Sequence, residues 1–293
     1  MSPEPAPAVV TDTTAYLPDE LCAQHDIHRV SLYVSLEGEQ RPEIEIPPSD
    51  YAAFYERLRR SADGASTSQP SVGDFTSVYE PLLHAGREIV SIHISAGISG
   101  TCESAEQARR RLLEEGTGGE RIRVYDTRSG CGGQGLVVLA AAKAATAGAD
   151  GAGTLAAAER CRSGLEMWFA IDTLEYLRKG GRIGAAQAWL GSALQIKPIL
   201  TLLEEITPIE RVRTRRRAFE RLVEYARQRK ADGAEAWVVQ HIQDPETARR
   251  LVEQGRDVFG SEPVFVSEIG PVIGAHVGPG LIGLGGVQPS SIG

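Results

Sequence analysis

The stretch Glu88–Thr101 reads EIVSIHISAGISGT. Its first half, Glu88–Ile94, is an apolar run of strand length, and a small polar turn leads directly into the helical pattern of Gly100–Glu115. A strand that passes through a short Gly- and Ser-rich turn into a helix is typical of the start of a βαβ unit, whose strands pair in parallel. The stretch therefore predicts an α/β fold.

The same alternation continues on both sides of this stretch. Further strands are predicted at Ala8–Thr11, Arg29–Leu36, Arg121–Asp126, Met167–Ile171, Pro198–Leu203, Ala236–Gln240 and Pro263–Val266. Further helices are predicted at Ser49–Arg60, Ser71–Ala85, Thr214–Arg229 and Pro245–Gln254, with two packed helices within Gly132–Arg162. We expect Ser49 and Ser71 to be N-caps and Gly116 to stop the helix that precedes it.

The length of 293 residues suggests two globular domains. We place their boundary near Ser163. Residues 1–163 should form an N-terminal doubly wound α/β domain with a mostly parallel sheet, and residues 164–293 a C-terminal α/β domain with a mixed sheet.

Composition and charge exclude several classes of protein. The formal charge of −8 argues against a nucleic-acid-binding protein, which needs a cationic face. No apolar run is long enough to span a bilayer, and the first residues lack the pattern of a signal peptide, so we expect a cytoplasmic protein. The four cysteines have no metal-ligand spacing, so we expect reduced structural thiols and no metal site.

Four polar segments fall where a strand should end and a helix begin, the edge at which doubly wound sheets bind ligands. They are residues 10–14, 66–71, 95–101 and 270–280. The turn at 95–101 should direct backbone N–H groups to one point and so favour an anion. It has the spacing of neither a Walker loop nor a Rossmann fingerprint, so no ATP or NAD cofactor is indicated.

His276 lies between glycines and a proline, in what we expect to be a turn with little side-chain bulk to bury it. A lone histidine is usually structural, but this setting favours a ligand contact. The segment 174–183 ends on Gly180-Gly181 with cations in its last turn, which helix capping alone would explain.

Taken in order, these segments resemble the DegV family. The matching landmarks are Thr11-Asp12-Thr13-Thr14, Thr67-Ser68-Gln69-Pro70-Ser71, Ser95 to Thr101, Leu177 to Ile183, Ile196-Lys197-Pro198-Ile199, Arg211-Val212-Arg213-Thr214 and Gly274 to Gly280. The resemblance implies a two-domain α/β fold with a long-chain fatty acid between the domains. It also implies that the protein is not itself an enzyme but the lipid-binding subunit of a fatty acid kinase, whose separate ATP-dependent subunit phosphorylates the carboxylate.

The resemblance also implies which residues contact the ligand. Carboxylate contacts fall on Thr67, on a serine of the 95–101 turn and on His276, with Ser99 preferred and Ser95 second. Other ligand contacts are expected from the same turn, at Gly97, Gly100 and Thr101.

A cluster of basic residues stands out within this acidic chain. Its members Arg182, Arg211, Arg213 and Arg215 are candidates for docking to an acidic kinase surface or for transient contact with a membrane surface, and an ordinary solvated surface is the alternative.

Two other functions stay open from the sequence. An acyl hydrolase would use Ser99 or Ser95 with His276, although the sequence has no G-x-S-x-G elbow. A binder of a small phosphorylated metabolite would use the same turns but needs a smaller, polar cleft.

Overall fold

The computed structural model describes residues 5–190 and 196–292. The described strands are β1 Ala8–Asp12, β2 Ile27–Val30, β3 Tyr33–Leu36, β4 Glu39–Pro42, β5 Ala65–Ser68, β6 Ile89–His93, β7 Ile122–Asp126, β8 Glu166–Ala170, β9 Lys197–Leu202, β10 Ile206–Val212, β11 Ala236–His241, β12 Phe265–Glu268 and β13 Ile282–Val287. The described α-helices are α1 Asp19–Gln24, α2 Pro48–Arg60, α3 Val72–His84, α4 Thr101–Glu114, α5 Cys131–Thr146, α6 Gly151–Gly164, α7 Glu175–Gly180, α8 Arg215–Ala231, α9 Pro245–Phe259 and α10 Pro271–Val277.

The strands form three sheets. The first has the order β2-β1-β6-β7 and is parallel throughout. A small antiparallel sheet has the order β4-β3-β5, and a six-stranded mixed sheet has the order β10-β9-β8-β13-β11-β12. The predicted α/β class, with a parallel sheet in the N-terminal part and a mixed sheet in the C-terminal part, is confirmed.

The central strands of the parallel sheet are buried because helices cover both faces. Val9 and Ile92 pack with the apolar residues of α5 on one face. Val10 and Ile89 pack with Phe75 of α3 and with α4 on the other face. Successive side chains of a strand point to opposite faces, so strands buried on both sides are near-continuous apolar runs. This is why residues 88–94 read as they do.

The predicted caps were partly right. Ser71 is the N-cap of α3 and forms a capping box with Asp74, and Gly116, with φ of 68°, follows the end of α4 as expected. Ser49 is not an N-cap, because α2 already begins at Pro48 and Pro47 is its N-cap. A proline fits the first helical position, where its missing N–H costs nothing.

The predicted strand Arg29–Leu36 was wrong as a single element. It divides into β2 of the parallel sheet and β3 of the small sheet. Between them, the backbone of Leu32 forms hydrogen bonds outside both sheets. Its N–H donates to Thr13 Oγ1 at 3.3 Å, and its carbonyl accepts from the N–H of Glu43 at 2.8 Å. The chain therefore leaves one sheet and enters the other between Val30 and Tyr33.

The predicted domain boundary at residue 163 falls one residue before the end of α6, and the division into two domains stays a prediction. Within the described ranges, no helix is long and apolar enough to cross a membrane. The expectation that the first residues lack the pattern of a signal peptide falls partly on residues 1–4, which lie outside the described residues.

Candidate functional site

An apolar cavity in the described part of the chain lies on the inner face of the mixed sheet, under α10. The space free of protein atoms within it, including its open mouth, is about 970 Å³. Most of its wall is aliphatic or aromatic: Leu32, Ile94, Ile98, Met167, Phe169, Leu177, Leu202, Ile206, Ile269, Val272, Ile273, Val277 and Leu281. Such a wall suits a long apolar ligand.

A missing side chain opens the floor of the cavity. Gly283 in the central strand β13 is paired with Phe169 on one side and with Gln240 on the other, and all three residues line the cavity. A Cβ atom at Gly283 would lie only 3.1 Å from Cβ of Phe169. Any larger side chain there would fill space that a ligand can use.

Polar side chains gather at one part of the cavity wall: Thr67, Ser68, Gln69, Ser99, Arg182 and His276. Thr67 lies in β5 and His276 in α10, 209 residues apart in sequence. Their side chains are joined by a hydrogen bond of 2.7 Å between Thr67 Oγ1 and His276 Nε2. The structure therefore brings together two of the predicted carboxylate contacts.

His276 is not in an open turn, as we expected, but inside α10 with only 8% of its surface exposed. Burial, together with the nearby charge of Arg182, lowers the pKa of this imidazole from 6.5 to about 4. The ring is therefore neutral at neutral pH. It is buried because Gly274 lets the Tyr55 ring approach α10, and Gly180 leaves room for the imidazole itself.

The hydrogen bonds indicate which nitrogen of His276 carries the proton. Nδ1 has no hydrogen-bond partner among the described residues. A buried lone pair without a partner is tolerated better than a buried N–H without one, so the proton belongs on Nε2. Nε2–H then donates to Thr67 Oγ1, and the Thr67 hydroxyl is free to donate its own hydrogen into the cavity.

Ser99 and Ser95 point to different surroundings. Ser99 lines the cavity, and its hydroxyl shares a hydrogen bond of 2.8 Å with Thr101 Oγ1. Ser95 is fully buried, and its hydroxyl donates to the carbonyl of Glu204 at 2.7 Å. The geometry thus favours Ser99 over Ser95 as the serine that reaches a ligand.

The two glycines of this turn permit close packing. A side chain at Gly97 would collide with the backbone carbonyl of Glu204, and one at Gly100 would lie 2.8 Å from Gln69 Nε2. Neither Gly97, Gly100 nor Thr101 lines the apolar cavity. Their observed contacts hold the turn against the loop after β9 and against the end of β5.

Asp12 fixes the backbone that enters this turn, a role that the sequence interpretation missed. Burial alone would raise the pKa of its carboxyl, but the bond from His93 and further bonds from Thr14 and Ile94 hold the pKa below its usual range. Asp12 Oδ2 accepts from His93 Nδ1 at 3.0 Å and from the N–H of Ile94 at 3.1 Å. The signal was present in Thr11-Asp12-Thr13-Thr14, which we singled out as a polar segment at the end of a strand without assigning a role to Asp12.

The cavity-lining residues Gln69 and Gln240 were also missed. Gln69 stood within the polar segment 66–71, which we expected to lie between a strand and a helix, but Ala65–Ser68 is itself the strand β5, which pairs with β3. Gln240 accepts from the N–H of Gly132 and donates to Ser267 Oγ at 2.8 Å, so it anchors the start of α5.

The predicted docking arginines do not form one patch of free charge. Arg182 lines the cavity mouth and donates to the carbonyl of Gly180 at 2.8 Å. Arg211 lies over the Trp189 ring at 5.3 Å, and Arg213 is exposed. Arg215 is engaged in ion pairs with Asp172 and Asp244, so its charge is already compensated.

The cysteines give no sign of a metal centre. Cys22, Cys102, Cys131 and Cys161 are all free thiols. Within residues 5–190 and 196–292, no three His, Cys, Asp or Glu side chains are grouped so that they could hold a metal ion.

Comparison with known proteins identifies the family. The family model described as "Uncharacterised protein, DegV family" matches residues 7–288. A DegV domain-containing protein of Streptomyces coelicolor is 40% identical over 281 residues, which cover 94% of this chain and 96% of that protein.

Two solved structures are also similar over nearly their whole length. A DegV family protein of Thermus thermophilus, for which fatty acid binding is described, is 34% identical to this chain. Its TM-score is 0.84, and the match covers 97% of this chain and 99% of that one. DegV of Bacillus subtilis, described as a fatty acid binding protein, is 34% identical, with a TM-score of 0.85 over the same shares. From the family match and these identities, we conclude that the chain belongs to the DegV family.

Proposed function

We propose that this protein binds a long-chain fatty acid in the apolar cavity and presents the carboxylate to a separate ATP-dependent kinase subunit, which forms an acyl phosphate. The observation that carries this proposal is the shape of the site, an apolar cavity with a cluster of polar side chains around the Thr67–His276 hydrogen bond. The fatty acid binding reported for the similar proteins supports the same ligand.

The tail supplies most of the affinity in this proposal. Each buried CH₂ group contributes roughly 0.8 kcal/mol, so a long acyl chain gains far more than its head group. The mainly aliphatic wall provides that environment. A smaller, polar cleft, which a phosphorylated metabolite would need, does not describe this cavity.

The head group must keep its hydrogen bonds when it leaves water, since an unpaired buried carboxylate is costly. The hydroxyls of Thr67 and Ser99 and the amide of Gln69 line the cavity and can donate to it. His276 acts through Thr67: because it is neutral, it orients the hydroxyl without adding a positive charge. We infer that neutral donors hold the carboxylate, while Arg182, the one cation among the described residues of this part of the wall, donates to the carbonyl of Gly180 and also lines the adjoining opening.

A polar opening beside the cavity supports presentation to a second protein. Gly97, Ile98, Gly181, Arg182 and Gly184 line this opening, together with Ala185, Gln187, Ile183 and Glu205. Ile98 and Arg182 line the apolar cavity as well, so the two spaces adjoin. A phosphoryl donor that entered here would meet the Ser99 side of the head group. The chain has no Walker loop, so the proposal assigns ATP binding to the other subunit.

Arg182, Arg211 and Arg213 carry the docking part of the proposal, in the cytoplasm where ATP is available. Their partner would be an acidic surface of the kinase subunit, and transient contact with an anionic membrane surface is the other outcome to be tested. Reversing the charge of Arg211 and Arg213 should slow phosphorylation while leaving fatty acid occupancy intact. If only lipid exchange with anionic vesicles slows, the arginines serve the membrane.

The hydrolase alternative lacks a working nucleophile. His276 bonds to Thr67 and to neither serine, and within the described residues no carboxylate orients its Nδ1. A Ser91–His93–Asp12 array does have triad-like distances of 2.7 and 3.0 Å. All three residues are fully buried, so a substrate cannot reach Ser91.

Mass spectrometry of the ligand extracted from the purified protein, without detergent, tests the binding part. We expect one long-chain fatty acid per chain; a stoichiometric polar phosphate instead would refute it. The presentation part is tested by adding ATP with and without a fatty acid kinase subunit. Acyl phosphate should form only when both proteins are present. Cleavage of lipid esters by this chain alone would revive the hydrolase.

A further inference from the structure

A second cavity lies on the opposite face of the mixed sheet. Along β8 and β13, Phe169 and Gly283 line the apolar cavity, whereas their neighbours Ala170 and Ile282 line the second one. Successive residues of a strand point to opposite faces. The sheet therefore separates the two cavities, and a ligand in one does not occupy the other.

The second cavity is a groove between the first two turns of α8 and of α9. Arg216 and Phe219 of α8 line it from one side, and Thr247 and Arg250 of α9 line it from the other. It encloses about 780 Å³ of space free of protein atoms, including its open mouth. It lies beyond the carboxyl end of β11, which leads into α9, and this edge is where α/β sheets bind ligands.

Most of the charges that line the groove compensate one another. Asp172 Oδ1 accepts from Lys197 Nζ at 2.9 Å and from Arg215 Nε at 2.9 Å. Arg215 also donates to Asp244 Oδ2 at 3.3 Å. These two acidic and two basic side chains form a closed network with no net charge.

Arg216 and Arg250 remain outside this network. The Arg216 side chain is 87% exposed and has only a 3.5 Å contact with Glu220 on its own helix. Arg250 has no acidic partner in the described parts of the chain; its guanidinium lies 4.8 Å from the centre of the Phe219 ring. The chain has 39 acidic residues and only 31 Lys and Arg, so an arginine without an acidic partner is unexpected here.

The contact with Phe219 positions Arg250 for a ligand. A guanidinium stacked on an aromatic ring is held in place while its N–H groups at the edge stay free to donate. Thr247 lies one turn earlier on the same face of α9 and lines the same groove. The floor beside these polar groups is apolar and includes Ala218, Phe219 and Ile282.

We propose that this groove is a second binding site, which takes a small organic phosphate. A phosphate monoester has close to two negative charges at neutral pH and accepts paired hydrogen bonds from guanidinium groups, which matches the unpartnered Arg250 and the exposed, weakly paired Arg216. Its organic part would lie on the apolar floor and against Phe219.

The test uses phenyl phosphate as the probe and the full-length protein, with binding followed by calorimetry. We expect saturable binding in about the millimolar range and weaker binding of inorganic phosphate, which cannot use the apolar floor. Arg250→Gln should weaken phenyl phosphate binding about tenfold or more. The matched control is Arg249→Gln, which removes the same charge from an exposed neighbour that is already paired with Glu246.

Thr67→Val is the second control, since it alters the fatty acid cavity and should leave the affinity for phenyl phosphate unchanged. Several results would overturn the proposal: no saturable binding, an equal loss in Arg249→Gln, or inorganic phosphate binding as tightly as phenyl phosphate. A loss in Thr67→Val would place the probe in the fatty acid cavity and would also refute a separate site. Fatty acid occupancy, measured in parallel, shows whether the proposed main function fails independently.

Discussion

Replacing Thr67 by valine tests the proposed head-group contact, because the two side chains have nearly the same shape. In the ligand-free protein the change removes the hydrogen bond of 2.7 Å to His276 Nε2. His276 Nδ1 already has no partner among the described residues, so both ring nitrogens would then be unpaired. Leaving a buried polar group unsatisfied costs about 1–3 kcal/mol, and we expect that loss in the free energy of unfolding.

The loss of fatty acid affinity follows from the same hydroxyl. A hydrogen bond to a charged acceptor contributes about 1.5–3 kcal/mol, which corresponds to roughly a 10- to 150-fold increase in Kd. The affinity for the fatty alcohol of equal chain length should change much less, since the alcohol has no charge for Thr67 to stabilise. Displacement of a fluorescent fatty acid measures both values.

Ser68→Ala is the matched control for this experiment. Ser68 is the next residue of β5 and also lines the cavity, but its hydroxyl accepts from Gln40 Nε2 at 3.3 Å. We expect the fatty acid affinity of Ser68→Ala to stay within about twofold of wild type, because this hydroxyl contacts Gln40 and is not one of the donors proposed for the carboxylate. An equal loss for acid and alcohol in Thr67→Val, or a wild-type affinity for the acid, would refute the contact.

Three further predictions concern the cavity and its titrating neighbours. Gly283→Val should weaken binding of the longest fatty acids more than that of shorter ones, because its side chain enters the floor beside Phe169; an equal loss at all lengths would contradict this. His276 has a pKa of about 4 when folded, so the unfolded chain binds more protons between pH 4 and 6.5. Ligand-free stability should therefore fall by about 3 kcal/mol over this range as the pH drops, and His276→Asn should lack that loss in denaturant titrations. Burial raises the pKa of Glu43 from 4.5 to about 7, so here the folded chain binds more protons. The contribution of Glu43 to stability has the opposite sign. As the pH rises from 4.5 to 7, the free energy of unfolding of wild type should fall by about 3 kcal/mol relative to that of Glu43→Gln. If the two proteins show the same change of stability with pH, the prediction is refuted.

The elements that the sequence predicted well are those whose apolar side chains pack on both faces of a sheet. Strands β1 and β6 are buried on both faces and read as continuous apolar runs. The strands that it missed or misread have another task. In β13, glycine stands where a side chain would fill the cavity, so the sequence IGLGGV lacks a strand pattern. In β5, the residues ASTS are polar because this strand lines the polar part of the cavity.

The burial of His276 was misjudged for a related reason. The glycines around it suggested an open turn, but they make space for aromatic rings that pack from elsewhere in the chain. A side chain at Gly274 would collide with Tyr55, and one at Gly278 would collide with Tyr176. Tyr55 and Tyr176 are distant in sequence, so a local pattern contains no information about them. Glycine is thus ambiguous in a sequence, since it marks either a flexible turn or a close approach.

The proposed chemistry needs a carboxylate that stays ionised although it is buried, and that is held in place although one of its oxygens must remain reactive. Formation of an acyl phosphate needs an ionised carboxylate as the nucleophile, but an apolar cavity raises the pKa of any carboxyl buried in it. Donors at the head group counter this effect, and Thr67 and Ser99 provide hydroxyls where the cavity wall is polar. A histidine with a normal pKa would gain a proton beside the carboxylate and bind it as an ion pair. Because burial lowers the pKa of His276, the imidazole can orient the Thr67 hydroxyl as a neutral group, and we infer that one carboxylate oxygen then stays available to a phosphoryl donor.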